Sequence, residues 1–144
     1  MVGLCVIQFA HMNHNSSAPR LGVLLCINGT GILNAWTRRL LDDVSYLEMN
    51  QLAQNIGPGS DGLSVLPFGN GAERVLSNKN IGAQVVGLDL NRHNRGHLCR
   101  AVQEGIVFSF MYGIEIMAEA GMPINTIRAG AVSYTHLTLP TIGC

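Results

Sequence analysis

The sequence predicts a single α/β domain, and three observations carry that reading. Short apolar runs closed by Gly, Asn or Pro alternate with segments whose apolar residues recur at helical spacing. Strand-like and helix-like segments follow one another in the order that marks an α/β chain. The length of 144 residues fits one domain, since domains usually take roughly 100–200 residues. No internal repeat is visible.

Taken in order, residues 9–14 are short and mixed, and a polar turn follows at 15–19. Residues 22–27 read as a buried strand, short and apolar, ended by Asn28-Gly29. Residues 32–41 read as a helix. Ile32, Ala35, Trp36 and Leu40 share one face, and Arg38 and Arg39 lie near its C-terminal end, where cations suit the dipole. Ser45 with Glu48 has the spacing of a capping box, which opens a second helix over 46–56. Gly57-Pro58-Gly59 stops it.

Residues 62–68 read as a strand, with Pro67 placing its end near an edge. A loop rich in Gly and Asn covers 69–82, and 83–90 reads as the next strand. The longest helix is predicted over 94–120. Leu98, Val102, Ile106, Phe110, Gly113 and Met117 make one apolar row, and Ala101, Gly105, Phe108, Tyr112 and Ile116 a second. Two rows predict a helix covered over most of its girth. Gly121 and Pro123 end it, and 127–130 begins a last strand.

Composition narrows the class. The hydrophobic share of 47% is ordinary, but the charged share is 12%, about half the usual ~25%. So few charges suit a membrane protein or a piece of something larger whose apolar faces meet a second domain. The longest apolar stretches, 2–10 and 105–118, fall short of the ~20 residues of a spanning helix, and Glu115 interrupts the second. The N-terminal stretch lacks a basic leader region, and Phe9-Ala10-His11 makes a poor cleavage site. The reading is therefore cytoplasmic, with no membrane partner. Nine basic and nine acidic residues balance, Lys79 is the sole lysine, and Arg92, Arg95 and Arg100 form no stripe. Nucleic acid is not expected as a partner. Cys5, Cys26, Cys99 and Cys144 lie far apart without a CxxC pair, as buried small apolar residues do.

The stretch CINGTGILNAW (26–36) holds the strongest candidate site. A strand, then Gly29-Thr30-Gly31, then a helix start leaves free N–H groups facing outward, and glycine lets a phosphate approach. The run is neither GxxxxGK[ST] nor GxGxxG, and the same geometry serves a plain connecting turn. His11 and His14 are three apart and His93 and His97 four apart, but no further ligand with metal-site spacing follows either pair. For the second pair a cap and a packed first turn is the simpler role, and no metal ligand is assigned. Asp61, Asp89 and Glu104 are candidate general bases without a paired nucleophile, so no catalytic residue is assigned. Glu73-Arg74, in a glycine loop, fits a substrate or interdomain contact as well as a solvated pair.

Three stretches taken together resemble one family: SDGLSVLPFGNGAERV (60–75), GAQVVGLDLNRHNRGHLCRAVQEGIVFSFMYGIEIM (82–117) and GVLLCINGTGILNAW (22–36). They are similar to the C-terminal domain of the FGGY carbohydrate kinases. The pattern is Gly87-Leu88, His97-Leu98, Arg100-Ala101-Val102, Glu104 and Gly105, with Gln103 where the family usually has an apolar residue. Gly71-Ala72-Glu73-Arg74 resembles the family's Gly-Glu-Arg with one extra residue. The resemblance covers about residues 9–130.

The resemblance implies an actin-like, ribonuclease-H-like ATPase fold of two domains, of which this chain is part of the nucleotide-binding one. It implies a small-molecule sugar and ATP as substrates, Mg²⁺ held largely by the N-terminal part, and a homodimer. A catalytic aspartate takes the proton from the sugar hydroxyl as the γ-phosphoryl group leaves ATP, and cleft closure excludes water. By the resemblance, Gly29, Thr30, Gly31 and Asn34 lie near the α- and β-phosphates, Gly130 borders the adenosine, and Glu73 and Arg74 lie at the cleft or domain interface. The catalytic aspartate and a first Gly-Thr phosphate hairpin precede the segment matching Phe9, so the chain alone is expected to be inactive. A small non-catalytic binding module is the alternative, and it predicts a well-covered surface.

The tail differs in kind. Residues 132–137 are one reading frame of GTC TCT TAT ACA CAT CTG, which resembles a transposase adapter used in making sequencing libraries. Residues 138–141 continue in frame. The expected division is thus a partial kinase domain over 1–131 and an adapter-derived tail over 132–144.

Overall fold

The structure is a computed structural model that describes residues 7–10, 21–24, 27–71, 76 and 79–127. The polar turn at 15–19, Glu73, Arg74, Gly130 and the tail lie outside the described residues, as does most of the last predicted strand.

Strands β1 (Ile7–Ala10) and β2 (Leu21–Leu24) pair antiparallel, with Ile7 opposite Leu24 and Ala10 opposite Leu21. The sequence reading had no strand over 7–10. Helix α1 (Thr30–Leu40) follows, with Arg38 and Arg39 in its last turn as expected. Its inward face is not the predicted one. Leu33 and Thr37, one turn apart, are buried, whereas Ile32, Trp36 and Leu40 are about half exposed. Thr37 satisfies its hydroxyl within the helix, donating to the Leu33 carbonyl at 2.9 Å, so a polar residue enters the core at little cost. Helical periodicity gives an apolar face but not its partner.

Helix α2 (Tyr46–Gln54) opens with half of the expected capping box: Ser45 Oγ accepts from the Glu48 N–H at 3.1 Å, without the return bond from the Glu48 side chain. A single 3₁₀ turn (Ser60–Gly62) leads into β3 (Ser64–Phe68). Strand β4 (Gly82–Val86) pairs antiparallel with β3, Ser64 opposite Val86 and Phe68 opposite Gly82. The predicted strand over 83–90 therefore stops four residues early. Gly87 takes φ +77°, where a Cβ would also collide with the Gly62 carbonyl. Beyond it the chain turns: the Arg92 and His93 N–H groups donate to the Asp89 carbonyl, and Leu90 is exposed. Apolar–polar alternation over 88–90 imitates a strand, but the glycine's left-handed backbone ends it.

Helix α3 (Arg95–Glu119) is the longest element. It ends in a Schellman arrangement: Met122 N–H donates to the Met117 carbonyl and Gly121 N–H to the Ala118 carbonyl, with Gly121 at φ +80°. Its first half serves two small cores. Ala101 and Val102 pack with Leu33, Leu63 and Val65, and Cys99 packs with Met49 and Ala53. Its second half departs from the expected cover. Val107, Phe108, Phe110, Met111 and Tyr112 stand exposed. Fully burying such side chains is worth ~1.5–3 kcal/mol each, and at 43–62% exposure about half of that is left unrealised here.

Gly105 lets α3 and β3 touch. A Cβ there would overlap the Val65 carbonyl, and neither backbone can retreat without opening the core of Leu63, Val65 and Val102. Gly105→Ala is expected to lower stability by about 1–3 kcal/mol, read as a reduced urea midpoint at unchanged slope. An unchanged midpoint would contradict the close packing.

Candidate functional site

The structure brings the N-terminus of α1 to the end of β3. Gly29 is the N-cap, at φ +99°, and its carbonyl accepts from the Leu33 N–H at 2.8 Å. A Cβ on Gly29 would collide with the Pro67 carbonyl and lie 3.6 Å from the Asn70 nitrogen. Glycine is required here twice, by the left-handed backbone and by the close approach of the Pro67 carbonyl. No side chain caps the first turn, and no acidic residue occupies it. Gly31 is exposed with nothing within 4 Å of the place a Cβ would take. An uncapped, unobstructed helix start beside a glycine loop has the field and the room for an anion.

Asn34 lies one turn beyond Thr30 on the same face of α1. Its Oδ1 is buried and lacks a hydrogen-bond partner. An amide oxygen accepts only, so the orphaned atom suits a hydroxyl, amine or water rather than a phosphate oxygen. Gly29 also borders a cavity of about 320 Å³ between α1 and the β3–β4 hairpin, walled by Ile32, Trp36, Pro67 and Val85. Thr30, Gly31 and Asn34 do not line it. The predicted phosphate contact and this cavity share only Gly29.

The other candidates are tied into the fold. Gly59, Ser60, Asp61 and Gly62 all have positive φ, between +46° and +93°, a run of left-handed backbone that two non-glycine residues adopt at a cost. The start of α3 holds it. Ser60 Oγ donates to the His97 carbonyl at 2.7 Å, and His97 Nε2 lies 3.1 Å from Asp61 Oδ2. His93 Nε2 and Arg92 Nη1 reach the Asp61 carbonyl at 3.3 and 3.4 Å. The Glu104 carboxylate accepts from the Gly59 N–H at 3.0 Å and from Arg100 Nε at 2.7 Å. The sequence reading took Gly57-Pro58-Gly59 only as a helix stop; the adjoining Ser60-Asp61-Gly62 was the available signal for this turn.

His93 and His97 take the structural role. Asn94 caps α3 through Oδ1, which accepts from the Gly96 and His97 N–H groups, and His97 Nδ1 accepts from the Asn94 N–H at 3.2 Å. His93 Nδ1 likewise accepts from the Asp89 N–H at 3.0 Å. Both rings therefore carry their proton on Nε2 when neutral, the atom a metal would need bare. His11 and His14 lie outside the described residues. Asp61 and Glu104 are committed to the turn, and Asp89 Oδ1 accepts from the Asn91 N–H at 2.9 Å.

Cys99 is fully buried. Burial pushes its thiol pKa up, partly opposed by Arg95. A raised folded-state value means its contribution to stability is whole below the ordinary thiol pKa and fades only as pH rises above it.

Comparison with known proteins supplies the class. The FGGY family of carbohydrate kinases, C-terminal domain, matches residues 8–130, and the chain belongs to that family. Its relatives within the family include xylulose kinases. That of Haemophilus influenzae is 37% identical over 105 residues, covering 73% of this chain and 21% of the relative. That of Bacillus subtilis is 29% identical over 136 residues, covering 92% and 27%. The crystal structure of xylulose kinase from Bifidobacterium adolescentis superposes with a TM-score of 0.68 at 31% identity, over 83% of this chain and 22% of that one. The fold is thus the actin-like one of the FGGY sugar kinases, as the resemblance implied. The chain spans 21% and 27% of the length of these curated relatives.

The clamp on the left-handed turn is testable. A double-mutant cycle between Asp61→Ala and His97→Ala is expected to give a coupling of about 0.5–1.5 kcal/mol. The exposed Arg38–Asp43 pair, 3.4 Å apart, serves as the control at about 0–0.5 kcal/mol. Equal couplings would remove the special standing of the clamp.

Proposed function

We propose that this chain is the partial nucleotide half of an ATP-dependent sugar kinase that transfers the γ-phosphoryl group to a hydroxyl of D-xylulose. The observation that carries the reading is the family match across 8–130, together with the uncapped α1 start where the family resemblance puts a phosphate contact. The sugar rests on the names of the relatives, xylulose kinases in two bacteria and in the superposed crystal structure.

In this reading Gly29 turns the chain into α1, Gly31 leaves room for an α- or β-phosphate oxygen, and the helix field favours the anion. Asn34 accepts a hydrogen bond from a nucleotide hydroxyl or a water beside it. By the same resemblance Gly130 is assigned to the border of the adenosine, and Glu73 and Arg74 to the cleft or domain interface; all three lie outside the described residues. Mg²⁺, when bound, offsets phosphate charge during transfer. Its ligands are assigned, by the family resemblance, largely to the N-terminal part of the protein. The non-catalytic module fares worse, because it calls for a covered surface and α3 is widely exposed.

Two measurements test the reading. The purified 144-residue chain is expected to show no turnover of D-xylulose with ATP, and measurable turnover would sink the assignment of the catalytic base elsewhere. The second uses the chain grafted in place of the matching segment of the Haemophilus influenzae xylulose kinase, assayed with D-xylulose, ribulose and gluconate. There Gly31→Asp puts a negative charge where a phosphate is expected. It should raise KM for ATP by roughly tenfold or more while leaving stability unchanged or higher, because an acidic residue suits a helix N-terminus. An unchanged KM would remove α1 from the phosphate site.

A further inference from the structure

We propose that Asp61 and His97 are positioning residues for the anion contact at the start of α1. The inference rests on the reading of that helix start as a phosphate contact, and neither residue is placed against the nucleotide. The turn they hold is gripped from several sides. Ser60 and Asp61 take φ +46° and +51° between two glycines that are also left-handed, and other residues persist in such backbone only where their surroundings hold them. His97 is buried and spends both ring nitrogens on the hold. Nδ1 accepts from the Asn94 N–H at 3.2 Å, and Nε2 donates to Asp61 Oδ2 at 3.1 Å. Its carbonyl accepts from Ser60 Oγ at 2.7 Å. From the other side, the Gly62 carbonyl blocks the place a Cβ on Gly87 would take, so the end of β4 closes on the same turn.

Two routes carry the position of this turn to Gly29. Along the strand, β3 runs from Ser64 to Phe68, and its Pro67 carbonyl sits against Gly29. Across the core, Leu63 and Val65 pack in one cluster with Leu33, whose N–H donates to the Gly29 carbonyl at 2.8 Å. Interiors packed at crystal-like density pass a shift on rather than absorb it. Asp61 and His97 thereby set where the free N–H groups of α1 point, and a misplacement of about 1 Å costs up to roughly a hundredfold at a reacting site. Asp42 and Asp43 supply the contrast. They too are left-handed, at φ +59° and +57°, and Asp43 pairs with Arg38 at 3.4 Å. They follow the C-terminal end of α1, away from its free N–H groups.

The graft described above tests the assignment, with KM and kcat measured as ATP is varied. Asp61→Ala should raise KM for ATP by roughly five- to tenfold and change kcat and KM for D-xylulose by less than about twofold. Asp61→Asn keeps an acceptor and tolerates left-handed backbone, so its KM should stay within about twofold of the parent. Asp43→Ala also removes a left-handed, paired aspartate and should leave KM unchanged. Should Asp61→Ala fail to fold, Asp61→Gly takes its place. Glycine relieves the backbone cost and still removes the bond to His97, and the same rise in KM is expected. A graft inactive on the sugar is read by the Kd of a non-hydrolysable ATP analogue, with the same shifts expected. A parental KM without the Asp61 side chain, an equal rise in Asp43→Ala, or an Asn variant as impaired as the Ala variant overturns the proposal. Gly31→Asp separates this failure from that of the phosphate reading. If Gly31→Asp raises KM and the Asp61 variants do not, the positioning role alone is lost. If Gly31→Asp leaves KM unchanged, the phosphate reading falls and the positioning role with it.

Discussion

The placement of most described elements depends on the hold that the first turns of α3 keep on the left-handed run from Gly59 to Gly62. Four residues of positive φ in succession are costly backbone for Ser60 and Asp61. His97, Ser60 and Glu104 supply hydrogen bonds that offset the cost. The run delivers Leu63 and Val65 into the core beside Val102. Pro67 then presents its carbonyl to Gly29, so the position of the α1 N-terminus is fixed by β3. The candidate phosphate contact thus rests, three steps removed, on a polar clamp that touches no ligand.

The same logic explains why Glu104 is not a free base. An Arg followed by Glu four residues later is the weaker orientation for a helix ion pair. Its value here lies in the Gly59 N–H that the carboxylate also accepts. Acidic residues singled out by chemistry alone are drawn into structure because left-handed backbone leaves N–H and carbonyl groups that need partners. His93 and His97 follow suit, with each Nδ1 consumed by a main-chain N–H.

Local signals were legible where they are local in physics. The Ser45 cap, the Asn94 start of α3 and the Gly121 stop all depend on residues within one turn of one another, and all appear in the structure. The end of β4 was misread because Leu88-Asp89-Leu90 keeps strand alternation while Gly87 and the turn at Asp89 depart from the sheet. The face of α1 was misread for a different reason. Trp36 and Ile32 are more hydrophobic than Thr37, yet Thr37 is the residue packed inside, since its hydroxyl is satisfied along its own helix.

By itself the sequence determined the class of the protein and its helix caps and stops, and it singled out Gly29-Thr30-Gly31 as the candidate place for a phosphate. These depend on residue type and short spacing, which a linear reading captures. Only the tertiary structure decided that Gly29 is pinned by Pro67, that Gly105 is forced by Val65, and that Asp61 belongs to His97. Each of these is a contact across some 36 to 40 residues of chain, and nothing local in either partner marks the other. The same holds for the bare half of α3: its residues announce that they need cover, and three-dimensional packing decides which of them receive it.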